Sequence, residues 1–322
     1  MKKIYIIYNY WELFISLILL NGENKGNENI LIINNEKIDK RVLRKIKNKY
    51  KVKEFHFFSN IFIKFLTYYF KLYIYLPLKL KKYKNQEKEI LTFSDQEVIS
   101  RFFIKSKQDL ILYEHGIINY ENNFTGVIQK VKKIFFGMEK PYGRNKYVKK
   151  IFLKFPDKAP DDIKNKVKKL DIDELIGKLN WNSKVEILHI FDIDIKLEKK
   201  IIILLTQPLE IKTCSEREKK EIYKKIYNEY SCEYTVYIKP HPLEKTNYKY
   251  LTDKILNKNF PIELFLFNNI IPNKIVTLFS SGCFSFIGKC DVDFLGTAKF
   301  ENIYKKRPIE SIFYKKGIIY EK

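Results

Sequence analysis

Asp109-Leu110-Ile111-Leu112-Tyr113-Glu114-His115-Gly116 is the stretch on which the reading of this chain turns. A short apolar run of strand length breaks off at an acid, an imidazole and a glycine. Glycine lets the backbone turn tightly there. The carboxylate is left at a strand's carboxyl end, the edge where open α/β sheets bind their ligands. The layout returns twice: residues 235–238 lead into Lys239-Pro240-His241-Pro242, and residues 274–279 into Ser280-Ser281-Gly282.

Strand-like runs recur around these motifs, at residues 4–8, 30–33, 55–58, 90–93 and 110–113, then at 201–205, 234–238 and 275–279. Helix-period or charged segments of crossover length separate several of them, the pattern of a parallel sheet with covering helices. The expected class is therefore α/β. A chain of 322 residues suits two domains rather than one. The two series place them at 1–155 and 200–322, joined by a charged, proline-bearing connection over 156–199. No repeat of fixed period is present.

The charge is the compositional outlier: 61 Lys and Arg against 38 Asp and Glu, a net +23. Such a field attracts nucleic acid or anionic lipid. Lys, Ile, Asn, Tyr and Phe are abundant together, so a general drift in composition accounts for most of it and a membrane surface for part. Residues 60–82 interleave Phe62, Phe65, Tyr69, Tyr73 and Tyr75 with Lys64, Lys71, Lys79, Lys81 and Lys82. A basic aromatic helix of this kind can lie on an anionic membrane. The plainer reading is a crossover helix covering the sheet, with lysines reaching outward. No RNA-binding signature, zinc module or heptad is present, and nucleic acid is not an expected partner.

Cys214, Cys232, Cys283 and Cys290 form no C-x-x-C pair and no zinc spacing, which fits a reducing cytoplasm. Lys2-Lys3 and the apolar run behind them imitate a secretory leader. Asn9 and Glu12 interrupt that run, and no small-residue cleavage site follows. Residues 4–8 read as a first strand and 11–20 as the helix after it, short of the roughly 20 apolar residues of a spanning helix. We expect no transmembrane segment and no cleavage.

Glu114 is placed to accept a proton from an acceptor hydroxyl, as a general base; a lone E-x-G is otherwise a surface acid in a turn. Two prolines fix the backbone on both sides of His241. Held there, His241 can donate a proton or a charged hydrogen bond to a departing phosphate, with Lys239 adding positive charge. His56 and His189 lie in apolar runs and read as core or edge residues. Ser280 and Ser281 offer hydroxyls and amides to an anion if a helix starts beyond them, or one of them is a plain N-cap. Asp171/Asp173, Asp192/Asp194 and Asp291/Asp293 form D-x-D pairs, a pattern that can hold a divalent ion. Asp171-Ile172-Asp173-Glu174 reads instead as a helix N-terminus. No metal and no cofactor are expected.

At these three motifs the chain resembles the bacterial sialyltransferases, and glycosyltransferase family 52, the lipooligosaccharide sialyltransferases, most closely. An acidic-acidic-glycine motif, a His-Pro motif and a later serine pair correspond to Glu114-His115-Gly116, His241-Pro242 and Ser280-Ser281. The resemblance implies the GT-B fold, two Rossmann-like domains facing a central cleft, with the base in the N-terminal acceptor domain and the nucleotide sugar in the C-terminal one. It also implies inverting, metal-independent transfer of sialic acid from CMP-sialic acid to a terminal galactose of a lipooligosaccharide or surface glycan. Glu114 would be the base and His241 the acid on the CMP phosphate. Ser280, Ser281 and Pro242 would line the donor site, and Lys239 would sit near cytosine or phosphate. Glu263 would bind the ribose hydroxyls, while Gly116 and Gly282 shape the turns. The second acidic place is His115 here, a departure on the acceptor side. Such an enzyme would be cytoplasmic, peripheral on the inner face of the membrane; exposed aromatics leave a homodimer open. The alternatives are a GT-B transferase using another nucleotide sugar, and a non-catalytic basic protein binding membrane or nucleic acid.

Overall fold

The computed structural model describes residues 2–23, 29–55, 70–83, 88–120, 141–193, 200–211, 213–268 and 270–306. The chain divides into two compact units, Met1–Ser183 and Lys184–Lys322.

The first unit runs β1 (Lys2–Ile7), α1 (Tyr10–Glu23), β2 (Ile30–Asn34), α2 (Lys40–Lys47), β3 (Val52–Phe55), α3 (Leu76–Leu80), β4 (Lys88–Thr92), α4 (Val98–Lys105), β5 (Leu110–Tyr113), β6 (Val148–Leu153), β7 (Val167–Lys169) and α5 (Ile172–Gly177). Its seven strands lie in the order β3-β2-β1-β4-β5-β6-β7, and every pair is parallel. Ile4 of β1 stands between Ile30 of β2 and Ile90 of β4. The chain builds outward from β1 to β3 and then resumes on the other side of β1, so strand order reverses between β1 and β4. Parallel strands are covered on both faces. Accordingly all five residues of β2 are buried. In α1, Leu13, Phe14, Ile15, Leu17 and Ile18 are buried too, the signature of a helix inside a core. The leader-like N-terminal run is thus a central strand and its covering helix. Among the described residues no helix is long and apolar enough to cross a membrane.

α6 (Trp181–Ile190) carries the chain across the division. The second unit holds β8 (Ile201–Leu205), α7 (Glu216–Ser231), β9 (Thr235–Lys239), β10 (Lys274–Thr277), β11 (Asp291–Phe294) and α8 (Glu301–Tyr304). Its sheet has the order β11-β10-β8-β9, again parallel throughout, and reverses between β8 and β10. All of β8 is buried, with Ile203 between Tyr237 and Ile275. A capping box starts α7: Ser215 accepts from the Glu218 amide while the Glu218 carboxylate accepts from the Ser215 amide. Tyr223, Ile226 and Lys219 are the buried face of that helix.

The α/β class and the pair of Rossmann-like units are as expected. Strands β6, β7 and β11 are not foreseen by the patterning. β7 and β11 are edge strands with lysines or aspartates half in solvent, where apolar alternation is not required. The strand expected at 55–58 is β3, ending at Phe55; residues 56–58, and with them His56, lie outside the described residues. Within 156–199, β7 and α5 belong to the first unit. The helix expected at the serine pair is a short 3-10 helix, Ser281–Phe286, with Ser280 as its N-cap. Of the helix expected over 60–82, residues 60–69 lie outside the described residues. A π-helical turn at Lys71–Tyr75 runs into α3. His189, read as core or edge, is exposed on α6.

Ser215→Ala removes one half of the capping box and is expected to cost about 1 kcal/mol of stability. Urea unfolding of the variant against the wild type measures it, and an unchanged midpoint would show that α7 is held by packing alone.

Candidate active site

Glu114, the predicted base of the first unit, stands where β5 ends. The Glu114 amide donates to Phe152 O at 2.9 Å, continuing the β5–β6 pairing one residue past the strand. The chain then turns. Gly116 has φ +136°, outside the range L side chains readily adopt. The amides of His115 and Gly116 both donate to Asn119 Oδ1, at 2.8 and 3.2 Å. This leaves the Glu114 side chain only 1% exposed. Its Oε2 accepts from the Tyr120 hydroxyl and, at 2.8 Å, from the Lys154 amide. Among the described residues Oε1 has no hydrogen-bond partner. Burial, reinforced by the neighbouring Glu114 charge, holds the Tyr120 hydroxyl well above its ordinary pKa, so it remains a donor. Trp11 Nε1 donates to Glu114 O at 3.0 Å, and Lys154 Nζ lies 4.5 Å from the centre of the Trp11 ring.

Beside this carboxylate stands a second, unforeseen one. Glu12, in the first turn of α1, is 1% exposed. It accepts from the Tyr8 amide at 2.6 Å and from Asn9 Nδ2 at 2.8 Å, with His115 Nδ1 3.0 Å away. Burial works against the imidazolium of His115. The Glu12 hydrogen bond and the charges of Glu12 and Glu97 outweigh that effect and the opposing charge of Lys37, and the pKa is raised above the ordinary 6.5. Glu97, just before α4, is itself shifted up, by burial first and by the Glu12 charge second. The sequence signal for Glu12 was an acid interrupting an apolar helix.

In the second unit, the strand ends again collect the motifs. β9 delivers Lys239-Pro240-His241. Leu243 N–H donates to His241 Nδ1 at 3.2 Å, so the neutral ring carries its proton on Nε2. The His241 amide donates to Glu244 Oε2 at 2.8 Å. Glu244 is a residue that sequence reasoning passed over; its only signal was an acid three positions after a proline-bounded histidine. Lys239 is turned inward. Its Nζ donates to Pro240 O and Lys258 O, both at 3.3 Å, and lies 4.6 Å from the centre of the Phe260 ring. Burial lowers its pKa to about 7, against the charges of Glu263 and Glu244.

β10 delivers the serines. Thr277, fully buried, donates to Leu205 O and accepts from the Ser280 amide at 3.0 Å. Ser280 Oγ accepts from the Gly282 amide at 3.4 Å, so this serine is the N-cap of the short helix. The Ser281 hydroxyl has no hydrogen-bond partner among the described residues. A Cβ on Gly282 would stand 3.1 Å from Ile262 Cγ2, and the bare glycine lets the serine loop close on residues 261–263. Glu263, 3% exposed, accepts from Ser285 Oγ at 3.2 Å. Glu263 and the serine pair are thus neighbours, His241 with Pro242 ends the next-but-one strand, and Glu114 belongs to the other unit.

The D-x-D pairs are engaged elsewhere. Asp171 caps α5 through the Glu174 amide and pairs with Lys169. Asp293 accepts from Lys274 at 2.7 Å and from the Tyr230 hydroxyl at 2.9 Å. Asp194 lies outside the described residues. Among the described residues no group of three or more His, Cys, Asp and Glu is placed to hold a metal ion.

The model of glycosyltransferase family 52 matches residues 22–298. An uncharacterized protein of Haemophilus influenzae is 35% identical over 258 residues, 76% of this chain and 81% of that one. Among solved structures, the chain is similar to the alpha/beta-galactoside alpha-2,3-sialyltransferase of Photobacterium phosphoreum, with a TM-score of 0.61 at 12% identity over 99% of this chain and 96% of that one. It is also similar to the UDP-GlcNAc 2-epimerase of Neisseria meningitidis, with a TM-score of 0.56 at 12% identity over 100% and 95%. At such identities the likeness is one of fold, the GT-B type.

Because the folded pKa of His115 lies above its ordinary value, the Glu12–His115 pair stabilises the fold fully below about pH 6.5 and loses that contribution as pH rises through the folded pKa. His115→Asn is expected to flatten this part of the stability curve in urea titrations from about pH 5 to about pH 9. A variant curve parallel to the wild type would remove the pair as its cause.

Proposed function

The chain belongs to glycosyltransferase family 52, and we propose that it is an inverting, metal-independent sialyltransferase. It would move sialic acid from CMP-sialic acid to a terminal galactose hydroxyl of a lipooligosaccharide or other surface glycan. The observation that carries the reading is Glu114: a buried carboxylate at the carboxyl end of β5 with one oxygen held by Tyr120 and the Lys154 amide. A carboxylate oriented through one oxygen presents the other to an incoming hydroxyl. The three sialyltransferase-like motifs, and a fold shared with proteins named sialyltransferases, support sialic acid as the sugar.

In this reading the acceptor oxygen attacks the anomeric carbon as Glu114 takes its proton, and the bond to the CMP phosphate breaks with inversion. His241 Nε2–H donates to the departing phosphate oxygen, Ser281 and Ser280 hold that phosphate, and Glu263 binds the ribose. Lys239 acts from beneath, bracing the loop with its backbone bonds. CMP leaves as a monophosphate ester with no pyrophosphate to neutralise, so preorganised donors suffice without a divalent ion. A different nucleotide sugar is the second reading, favoured by His115 in the motif's second acidic place and by the likeness in fold to UDP-GlcNAc 2-epimerases.

The enzyme would work on the cytoplasmic face of an anionic membrane, where a lipid-linked acceptor is presented. Phe70, Tyr73, Ile74 and Leu78 are exposed at helical spacing, while Leu72, Leu76 and Leu80 are buried on the opposite side. Lys79, Lys81 and Lys82 flank that apolar stripe, as an interfacial helix requires.

Glu114→Gln is expected to lower transfer by about 10²- to 10⁴-fold while CMP binding stays near normal by calorimetry; retained turnover would remove Glu114 as the base. In EDTA, the wild type should bind CMP in preference to UDP or GDP, more weakly after Ser280→Ala/Ser281→Ala. Preference for UDP or GDP would keep the fold and replace the sugar. Leu78→Glu should bind phosphatidylglycerol vesicles roughly tenfold more weakly, the scale of one buried leucine side chain; unchanged binding would take the membrane contact elsewhere.

A further inference from the structure

The loop 240–243 contains two prolines and therefore only two backbone N–H donors. Both are spent on arranging His241. The Leu243 amide donates to the ring at Nδ1, 3.2 Å away, and the His241 amide donates to Glu244 Oε2 at 2.8 Å. The Glu244 amide returns a bond to His241 O at 2.9 Å, closing the turn on itself.

Glu244 is 2% exposed, and its carboxylate is tied to three other parts of the unit. Thr206, just past β8, donates to Oε2 at 2.5 Å. The Tyr248 hydroxyl donates to Oε1 at 3.0 Å. Lys219 of α7 places its ammonium 2.6 Å from Oε1, with both side chains fully buried. Lys219 is anchored in turn by Glu210 at 2.7 Å, and Lys258 donates to Glu244 O at 2.6 Å.

A buried ion pair is a poor way to gain stability, because desolvation offsets most of its attraction and apolar residues of the same volume often serve as well. An apolar residue at position 244 would leave the His241 amide without this acceptor and the loop unbraced. We infer that Glu244 is a positioning residue for His241 as hydrogen-bond donor to the leaving phosphate: its carboxylate, braced by Thr206, Tyr248 and Lys219, fixes the His241 backbone so that Leu243 holds Nδ1 and the proton rides on Nε2. The chemistry follows from the ring's inventory. A neutral imidazole carries one proton, and a nitrogen accepting an N–H bond cannot be the one that carries it. The clamp therefore sets which nitrogen meets the leaving phosphate. It rests on the reading of His241 as the Nε2–H donor to the leaving phosphate, and adds Glu244, Lys219 and Thr206 to the machinery of that one residue.

Two measurements decide it. Ring-nitrogen NMR of histidine-labelled protein, with His241→Asn assigning the signal, should show Nε2 protonated in the wild type and a mixture of tautomers in Glu244→Gln. A wild-type spectrum in Glu244→Gln would overturn the clamp. Kinetically, Glu244→Gln should lower kcat roughly 10- to 100-fold with donor KM within about twofold, the scale of a small misplacement of a reacting group. In the His241→Asn background the same change should reduce the residual rate by a factor of about one, since the two residues act as a unit. An undiminished loss in that background would show that Glu244 acts through something other than His241. Should Glu244→Gln fail to fold, Glu244→Asp keeps the charge opposite Lys219 while drawing it away from the amide, and carries the same expectations. If the wild type does not turn over CMP-sialic acid, the proposed reaction falls, and the NMR comparison still decides the clamp.

Discussion

Two all-parallel sheets constrain everything else in this protein. Each strand needs a crossover to reach the next, and each sheet is covered on both faces, so its interior admits little beyond apolar side chains. β2 and β8 meet that demand with every residue buried. Polar chemistry is thereby pushed to the strand ends, where the chain must turn and backbone groups need partners. Glu114, His241 and Ser280 stand after β5, β9 and β10 for that reason. The turns themselves are held by side chains: Asn119 for the first, Glu244 for the second and Thr277 for the third.

Three buried carboxylates show how one residue type is put to different uses. Glu244 accepts from an ammonium, two hydroxyls and an amide, and has no capacity left for a substrate. Glu12 is balanced by an imidazole it helps to keep charged. Glu114 takes two donors on one oxygen and none on the other among the described residues. That second oxygen is the one an acceptor hydroxyl would meet if Glu114 is the base proposed. Lys239 illustrates the reverse: a charge expected to reach the donor is instead turned onto backbone carbonyls, where burial weakens its hold on a proton.

Membership of glycosyltransferase family 52 joins these features to sugar transfer, and His115 directly follows the buried Glu114. An acid in the second place of the motif would have met Glu12 and Glu97 as a like charge. The imidazole instead pairs with Glu12, whose hydrogen bond and charge favour its protonated form. The surroundings of Glu114 are thus shaped by α1, an element whose sequence looks like a leader and whose first turn carries Glu12.

The sequence alone determined the α/β class, the two series of parallel strands and the three strand-end motifs, because these are local properties. Apolar runs of strand length, a glycine at a sharp turn and prolines bracketing a histidine are visible wherever the chain goes. Asp171 at a helix start was legible for the same reason: a cap is satisfied within three residues. Edge strands β7 and β11 were not, since a strand half in solvent needs no apolar signature. Only the tertiary structure decided what surrounds the motifs. Tyr120 meets Glu114 across a loop, Lys154 reaches it from β6, and Glu12 meets His115 from a residue 103 positions away. Lys219 finds Glu244 from the buried face of α7. Such contacts are fixed by sheet order and by the face a helix buries, and neither is encoded within the few residues of a motif.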